Sequence, residues 1–323
     1  MIRLICGLLL VPVAGSAQPS GTLVVTNKTP STATIIDIGS NRILAALPTG
    51  GGPHEVAISS DGRLAVVTNY GVPPRNSLTV IDVPGLRVAR TVDLGSYTAP
   101  HGVVFLAGDS LVVVTSEATR SILIVNVVTA TVVRAISTDQ AGSHMVGVTA
   151  NGARAYTGNI GANTVTEIDL QAGRALRRFD VPAQPEAINV TPDGSEVWVG
   201  SNATGKVSVI DPSTGTVTTA AEGLGWPYRV LFSPDRRTVI LPDLRGNEVR
   251  FLERASRREL GRLQFPNGGP QGITITPDGK YFFESLSQEA RVVIVDVASR
   301  RVIGYLAAGE TPDGVAYTSR VMR

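Results

Sequence analysis

A short phrase returns seven times along this chain of 323 residues, and that repetition leaves few folds open. It reads Pro53-His54-Glu55-Val56, Pro100-His101-Gly102-Val103, Ser143-His144-Met145-Val146, Pro185-Glu186-Ala187-Ile188, Pro227-Tyr228-Arg229-Val230, Pro270-Gln271-Gly272-Ile273 and Pro312-Asp313-Gly314-Val315. The period is roughly 42–47 residues, in the range of one propeller blade. Each unit has four pieces. The phrase itself runs into a turn such as Thr191-Pro192-Asp193-Gly194. An apolar run follows, as in Leu64-Ala65-Val66-Val67-Thr68-Asn69, then an alternating stretch closed by an acid, as in Val207-Ser208-Val209-Ile210-Asp211. The last piece comes after a short turn, as in Arg301-Val302-Ile303-Gly304. β-Branched runs between Gly, Pro and Asp punctuation are strands, and helical periodicity is not evident beyond the N-terminal segment.

The two ends are incomplete units that complement each other. Residues 22–47 supply second, third and fourth strands, and residues 314–318 supply a first strand. Pairing them closes a circle and removes free sheet edges. The expected fold is all-β: one seven-bladed β-propeller of four-stranded antiparallel blades, spanning residues 18–323.

Composition agrees. Hydrophobic residues make up 43% of the chain and aromatics only 5%, so the core must be Val, Ile, Leu and Ala, which suits sheet. Net charge is +2 and no aromatic-plus-basic stripe appears, which argues against a nucleic-acid partner. The paired arginines (177/178, 236/237, 257/258 and 300/301) recur near turns and read as solvated hairpin ends. The acids closing the third strands (Asp37, Asp82, Asp169, Asp211, Glu253 and Asp296) read as turn formers.

Residues 1–17 read as a secretory signal. Arg3 precedes the apolar run 4–13, and Gly15-Ser16-Ala17 supplies small residues before a cut ahead of Gln18. The run is too short to span a bilayer. The single cysteine, Cys6, falls inside it, so the mature chain carries no disulfide, thiolate ligand or cysteine nucleophile. The expected location is periplasmic or secreted. Asn-x-Thr triplets at Asn27, Asn189 and Asn202 would matter in a eukaryotic secretory route.

The phrases Leu23-Val24-Val25-Thr26-Asn27, Val66-Val67-Thr68-Asn69, Val80-Ile81-Asp82 and Val209-Ile210-Asp211 resemble the YVTN-type β-propeller repeat family, which includes YncE-like exported propellers. The resemblance covers essentially the whole mature chain. It implies a propeller fold and an exported binding role, and no fixed catalytic residues.

In a propeller the second residue of each phrase stands at the mouth of the central channel. The seven positions are His54, His101, His144, Glu186, Tyr228, Gln271 and Asp313, and they include every histidine of the chain. Loops between second and third strands open on the same face, at residues 27–31, 69–76, 116–120, 159–163, 202–205, 243–247 and 285–289. Among them Tyr70, Arg75, Glu117 and Arg120 are candidate rim contacts, and the Pro-containing loop 69–76 is the longest.

Three imidazoles on consecutive blades suit a divalent transition metal (Zn, Cu, Fe or Ni). Glu186 or Asp313 would then be a fourth ligand, a partner fixing a histidine tautomer, or a general base. Tyr228 adds a hydroxyl. At the next register position glycine stands in three units, but Glu55 and Arg229 occupy it in two, where they would orient a polar substrate or simply pair. Three functions follow: a metal-dependent hydrolase, lactonase or lyase acting on a small polar molecule; a non-catalytic module binding a small molecule, protein or glycan on this face; or, least supported, a porphyrin-like cofactor held by histidines. No Gly-x-Ser-x-Gly, P-loop, His-Glu-x-x-His or Cys-x-x-Cys-His motif occurs.

Overall fold

The structure, a computed structural model, describes residues 19–322. The expected export segment, residues 1–17 with Cys6, lies outside the described residues. The described strands form seven antiparallel four-stranded sheets arranged as a ring. Blade I joins β28 (Pro312–Thr318) to β1 (Thr22–Asn27), β2 (Thr32–Asp37) and β3 (Arg42–Pro48). Pairing runs from Thr22↔Thr318 to Asn27↔Pro312, so the ring is closed by the expected complementation. The closing strand starts at Pro312, two residues earlier than the sequence pattern indicated.

Blades II to VII follow in chain order. Their inner strands are β4 (Pro53–Ile58), β8 (Pro100–Phe105), β12 (Ser143–Val148), β16 (Pro185–Val190), β20 (Leu231–Phe232) and β24 (Pro270–Ile275). Second strands such as β5 (Leu64–Asn69) and β9 (Leu111–Ser116) are buried almost throughout, because neighbouring blades cover both faces. That is why they read as continuous apolar runs rather than alternating ones. Outer strands such as β7 (Arg87–Asp93) are mostly exposed.

The core is distributed over the seven seams between blades. Between VII and I, Tyr281, Phe283, Val292 and Ile294 pack on Leu23, Val25 and Ile36. Each fully buried Val, Leu or Phe contributes about 1.5–3 kcal/mol, so stability is spread round the ring rather than held in one centre. The far face carries the Pro-Asp-Gly turns. At Thr191-Pro192-Asp193-Gly194 the Asp193 carboxylate accepts from Thr191 Oγ1 (2.7 Å) and Ser195 N (3.1 Å), and Gly194 adopts φ 74°. The acids closing third strands do turn work as read: Asp169, Asp211 and Asp296 each accept a backbone N–H at 2.8 Å. One arginine departs from the solvated reading. Arg257 lies over the Trp198 ring (4.6 Å to its centroid) and 2.7 Å from Glu196, tying blade VI to blade V.

Candidate functional site

The inner strands of blades I–V and VII break register where the repeated phrase begins. Between Pro53 and Val56, Pro100 and Val103, and Ser143 and Val146 the ladder shifts, leaving the ring residue in a bulge. A bulge re-aims a side chain, and here it holds the ring residues at the mouth. Hydroxyls of the second strands bind the bulge. Thr115 Oγ1 accepts from Gly102 N (2.9 Å) and donates to His144 O of the next blade (2.6 Å). Ser285 does the same for Gly272 N (2.8 Å) and Asp313 O (2.5 Å). Thr26 of Val25-Thr26-Asn27 likewise donates to His54 O of the next blade (2.7 Å), so hydroxyls at this position clamp neighbouring blades in three of the seams. Blade VI is different: its inner strand shrinks to Leu231–Phe232 plus one bridge, Pro227↔Asp243, and Tyr228 and Arg229 leave the ladder.

The three histidines stand side by side. Ring centroids of His54 and His101 are 5.1 Å apart, and those of His101 and His144 are 3.7 Å apart at 30°. Tyr70, from the loop after β5, packs against His54 (4.5 Å), His101 (4.8 Å) and His144 (6.1 Å). His54 Nδ1 meets Gly52 O at 2.9 Å, and His144 Nδ1 meets Glu117 Oε2 at 2.6 Å. A carbonyl and a carboxylate only accept, so both histidines carry their proton on Nδ1. His101 Nδ1 lies 3.2 Å from the thioether sulfur of Met145. No hydrogen bond to Nε2 of any of the three occurs among the described residues.

The other ring positions are committed to each other. Asp313 is fully buried, 2.9 Å from Lys28 Nζ, and accepts from Tyr228 Oη (3.1 Å). Glu186 accepts from Trp226 Nε1 (2.9 Å) and Asn202 Nδ2, and so is not gathered with the histidines. Arg229 forms an ion pair with Glu55 across the channel, donates to Tyr228 O (2.6 Å), and lies 3.9 Å from Glu186. Gln271 Oε1 is buried with no hydrogen-bond partner among the described residues.

Sequence reasoning named Tyr70 and Glu117 as rim contacts, and both reach the histidines; Tyr70 Oη also donates to Glu117 Oε2 (3.0 Å). Arg75 and Arg120 instead supply turn backbone, with φ 47° and 53°. Lys28, Asn202, Trp226 and Met145 were not singled out. A signal for two of them exists: Lys28, Tyr70, Glu117 and Asn202 are each the first residue after a second strand, a second register position one step outside the ring.

Burial sets the electrostatics. His54 is held down to about 4 by desolvation, with nearby Lys28 adding to it and Asp313 opposing. Desolvation lowers His101 well below the usual imidazole range, and its positively charged neighbours push the same way. Burial would raise Asp313, but Lys28, His54 and Arg229 outweigh it and hold the carboxyl low. Burial and the Asp313 charge push Tyr228 far up. Glu284, on the second strand of blade VII, is completely buried; both its oxygens lack partners among the described residues, and desolvation raises it well above the carboxylate range.

Do these residues fit a metal ion? The tautomers do, since each Nδ1 is engaged and each Nε2 is unbonded. Two imidazoles on one tetrahedral ion have centroids about 5 Å apart. His54 and His101 match that spacing, whereas His101 and His144 are too close. Among the described residues no group of three or more His, Cys, Asp or Glu side chains is arranged to hold a metal. A three-histidine centre therefore needs His144 to turn away from His101.

No protein-family model and no curated protein matches this chain. Solved structures do. A chain of Kuenenia stuttgartiensis hydrazine synthase is similar at 17% identity with a TM-score of 0.76, covering 90% of this chain and 99% of that one. A functionally unknown protein from Desulfotomaculum acetoxidans is similar at 17% identity with a TM-score of 0.75, covering 92% and 99%. At such identities the likeness carries the propeller fold alone. No helix among the described residues is long and apolar enough to cross a membrane.

Proposed function

We propose that this protein is an exported propeller of the YVTN type whose ring face binds a small polar molecule without transforming it. The observation that carries this reading is the commitment of both ring carboxylates, Asp313 and Glu186, and of Arg229 beside them. Asp313 is held by Lys28 and Tyr228, Glu186 by Trp226 and Asn202, and Arg229 by Glu55. General acid–base catalysis needs a group poised near the working pH and open to substrate. Here Tyr228 is pushed far up, His54 is held near 4, and the ring residues other than His54 are nearly inaccessible.

The groups left at the surface of the mouth are binding groups. Lys28 and Glu117 keep 22% and 24% of their side chains exposed, on either side of the half-buried His54–Tyr70 pair. A cation, a carboxylate and an aromatic floor between them suit a compact ligand with both donors and acceptors. A thermal-shift screen of sugars, amino acids and lactones tests this. A stabilising hit lost in Lys28→Ala and Tyr70→Ala supports the reading. Turnover of any hit that disappears in Asp313→Asn, with the fold intact, overturns it in favour of the hydrolase or lyase. Export is tested by the mature N-terminus, expected at Gln18.

One observation favours a second reading, a transition-metal site at the histidine arc: three consecutive imidazoles each leave Nε2 unbonded. His54, His101 and His144 would hold the ion, which would supply Lewis acidity when bound. Glu117, through His144 Nδ1, would fix that ring. Glu186 is engaged elsewhere. Elemental analysis before and after a chelator decides it.

A further inference from the structure

Three of the seams between blades are bridged near the far face by an arginine. In blades II, III and IV the outer-strand residue opposite the fourth residue of the third strand is Arg90 (opposite Val80), Arg134 (opposite Ile124) and Arg177 (opposite Glu167). Each reaches across the seam to carbonyls in the next blade's turn. Arg90 donates to Val128 O, Arg134 to Leu170 O (3.3 Å) and Gln171 O (3.0 Å), and Arg177 to Pro212 O. In blade VII the same position, opposite Ile294, is Gly304. A groove of about 380 Å³ lies there, bounded by Tyr281, Ile303, Tyr305 and Leu306 of blade VII and by Ile38 and Gly39 of blade I. Those two turn residues correspond to Leu170 and Gln171, each pair following the acid that closes a third strand. We propose that this groove binds an alkylguanidinium cation, the group that bridges the equivalent seams from within the chain. The inference goes beyond the ring-face reading and does not depend on it.

Three features support it. First, the other seams that lack this arginine are occupied by other side chains. Between blades I and II, where Ala45 stands, Leu86 and Met322 pack in. Beside Thr218 of blade V, Arg254 and Arg257 of blade VI come in and pair with Glu196. At Gly261 of blade VI, a Cβ would lie 3.4 Å from Arg300 Nε of blade VII. The blade I residue that matches Arg300 is Asn41, which is uncharged. Second, the walls suit an aliphatic stem with a flat cationic head. Ile303 and Tyr305 are 49% and 41% exposed, and a guanidinium stacks on aromatic faces. Arg291 already lies over the Tyr305 ring in this way (4.0 Å to its centroid). Third, a carboxylate is not required. Arg90 and Arg134 have no carboxylate partner among the described residues and are held by carbonyls and packing.

The test titrates butylguanidinium, butylammonium and the blocked peptide acetyl-Gly-Arg-Gly-amide into the native protein, Gly304→Ala and Gly304→Arg. A Cβ on Gly304 would meet Ile294 Cδ1 at 3.5 Å, an ordinary contact, so both variants are accommodated. The expected Kd of the native chain for a guanidinium probe is about 1 mM, with butylammonium weaker. Gly304→Ala is expected to retain binding. Gly304→Arg, which supplies the missing side chain, is expected to melt higher and to bind at least about tenfold more weakly. NMR shifts at Ile303 and Tyr305 of the native protein locate the ligand without any variant. Binding of the peptide alone identifies an arginine of a partner protein, and binding of butylguanidinium alone identifies a small molecule; either supports the inference. No binding of either probe, shifts confined to other residues, binding undiminished in Gly304→Arg, or equal binding of butylammonium overturns it. Lys28→Ala is expected to leave this binding unchanged, so failure here and failure of the ring-face reading are told apart.

Discussion

Arg229 of blade VI and Glu55 of blade II, 174 residues apart in sequence, form an ion pair across the central channel. Their side chains are 8% and 12% exposed, so each charge has little access to water as an alternative partner. With Tyr228 reaching Asp313, the pair makes the channel a polar plug rather than an open pore.

Removing one partner leaves the other charge buried alone. Glu55→Gln is expected to cost about 3–5 kcal/mol in urea unfolding. Glu55→Leu combined with Arg229→Met is expected to recover most of that loss. Equal losses in the single and double variants would show that the two groups are not energetically coupled.

Glu284 holds a proton that the unfolded chain gives up. Its raised value means that its contribution to stability is complete below the unfolded carboxylate range and is eroded as pH rises toward the folded value. The slope is about 1.4 kcal/mol per pH unit. Glu284→Gln lacks this slope, so its melting temperature is expected to overtake the native one between neutral and mildly alkaline pH. Parallel pH–Tm curves for the two proteins would contradict a protonated, unpaired Glu284.

His54 titrates in the opposite sense. Folding depresses it from 6.5 to about 4, so the stability it contributes is present above the unfolded value and is lost as pH falls between those limits, again at about 1.4 kcal/mol per unit. NMR of ring nitrogens is expected to show His54 neutral at pH 6, with its proton on Nδ1. A charged ring at that pH would place it in water, against the present packing.

Glycine after the ring residue permits close approach of the next blade. A Cβ on Gly102 would lie 2.8 Å from Val146 N and 3.0 Å from Met145 Cα, backbone that cannot swing aside, whereas one on Gly39 would meet nothing within 4 Å. Gly102→Ala is therefore expected to destabilise by about 1–3 kcal/mol, and Gly39→Ala to be near neutral or stabilising. Similar thermal shifts for the two would refute the close-packing account.

Where Glu55 and Arg229 replace that glycine, their side chains go to the channel instead. The repeat made this exception visible in sequence, and pairing was one of the outcomes it allowed. The ring itself was equally legible, because a register position is a local property that closure converts into a circle. Tyr70 and Glu117 were legible as rim residues, but their contact with the histidines was not, since it crosses from blade to blade. Lys28 stands at the same register position as Tyr70, one residue past a second strand, a relationship visible only when those loops are aligned blade by blade. Glu284 sits where other blades carry Val25, Val67 and Val114, an anomaly that becomes meaningful only once both carboxyl oxygens are found without partners.

By itself the sequence determined the number of blades, the way the ring closes and which residues face the channel mouth. Each of those follows from apolar periodicity and turn chemistry acting over a few residues and repeated at a fixed spacing. Only the tertiary structure decided that Tyr228 reaches Asp313, 85 residues away, that Met145 turns its sulfur to the preceding blade, and that the histidines keep their Nδ1 atoms occupied. Those choices depend on which atoms meet across a closed ring, and burial there fixes charge states that a sequence leaves free.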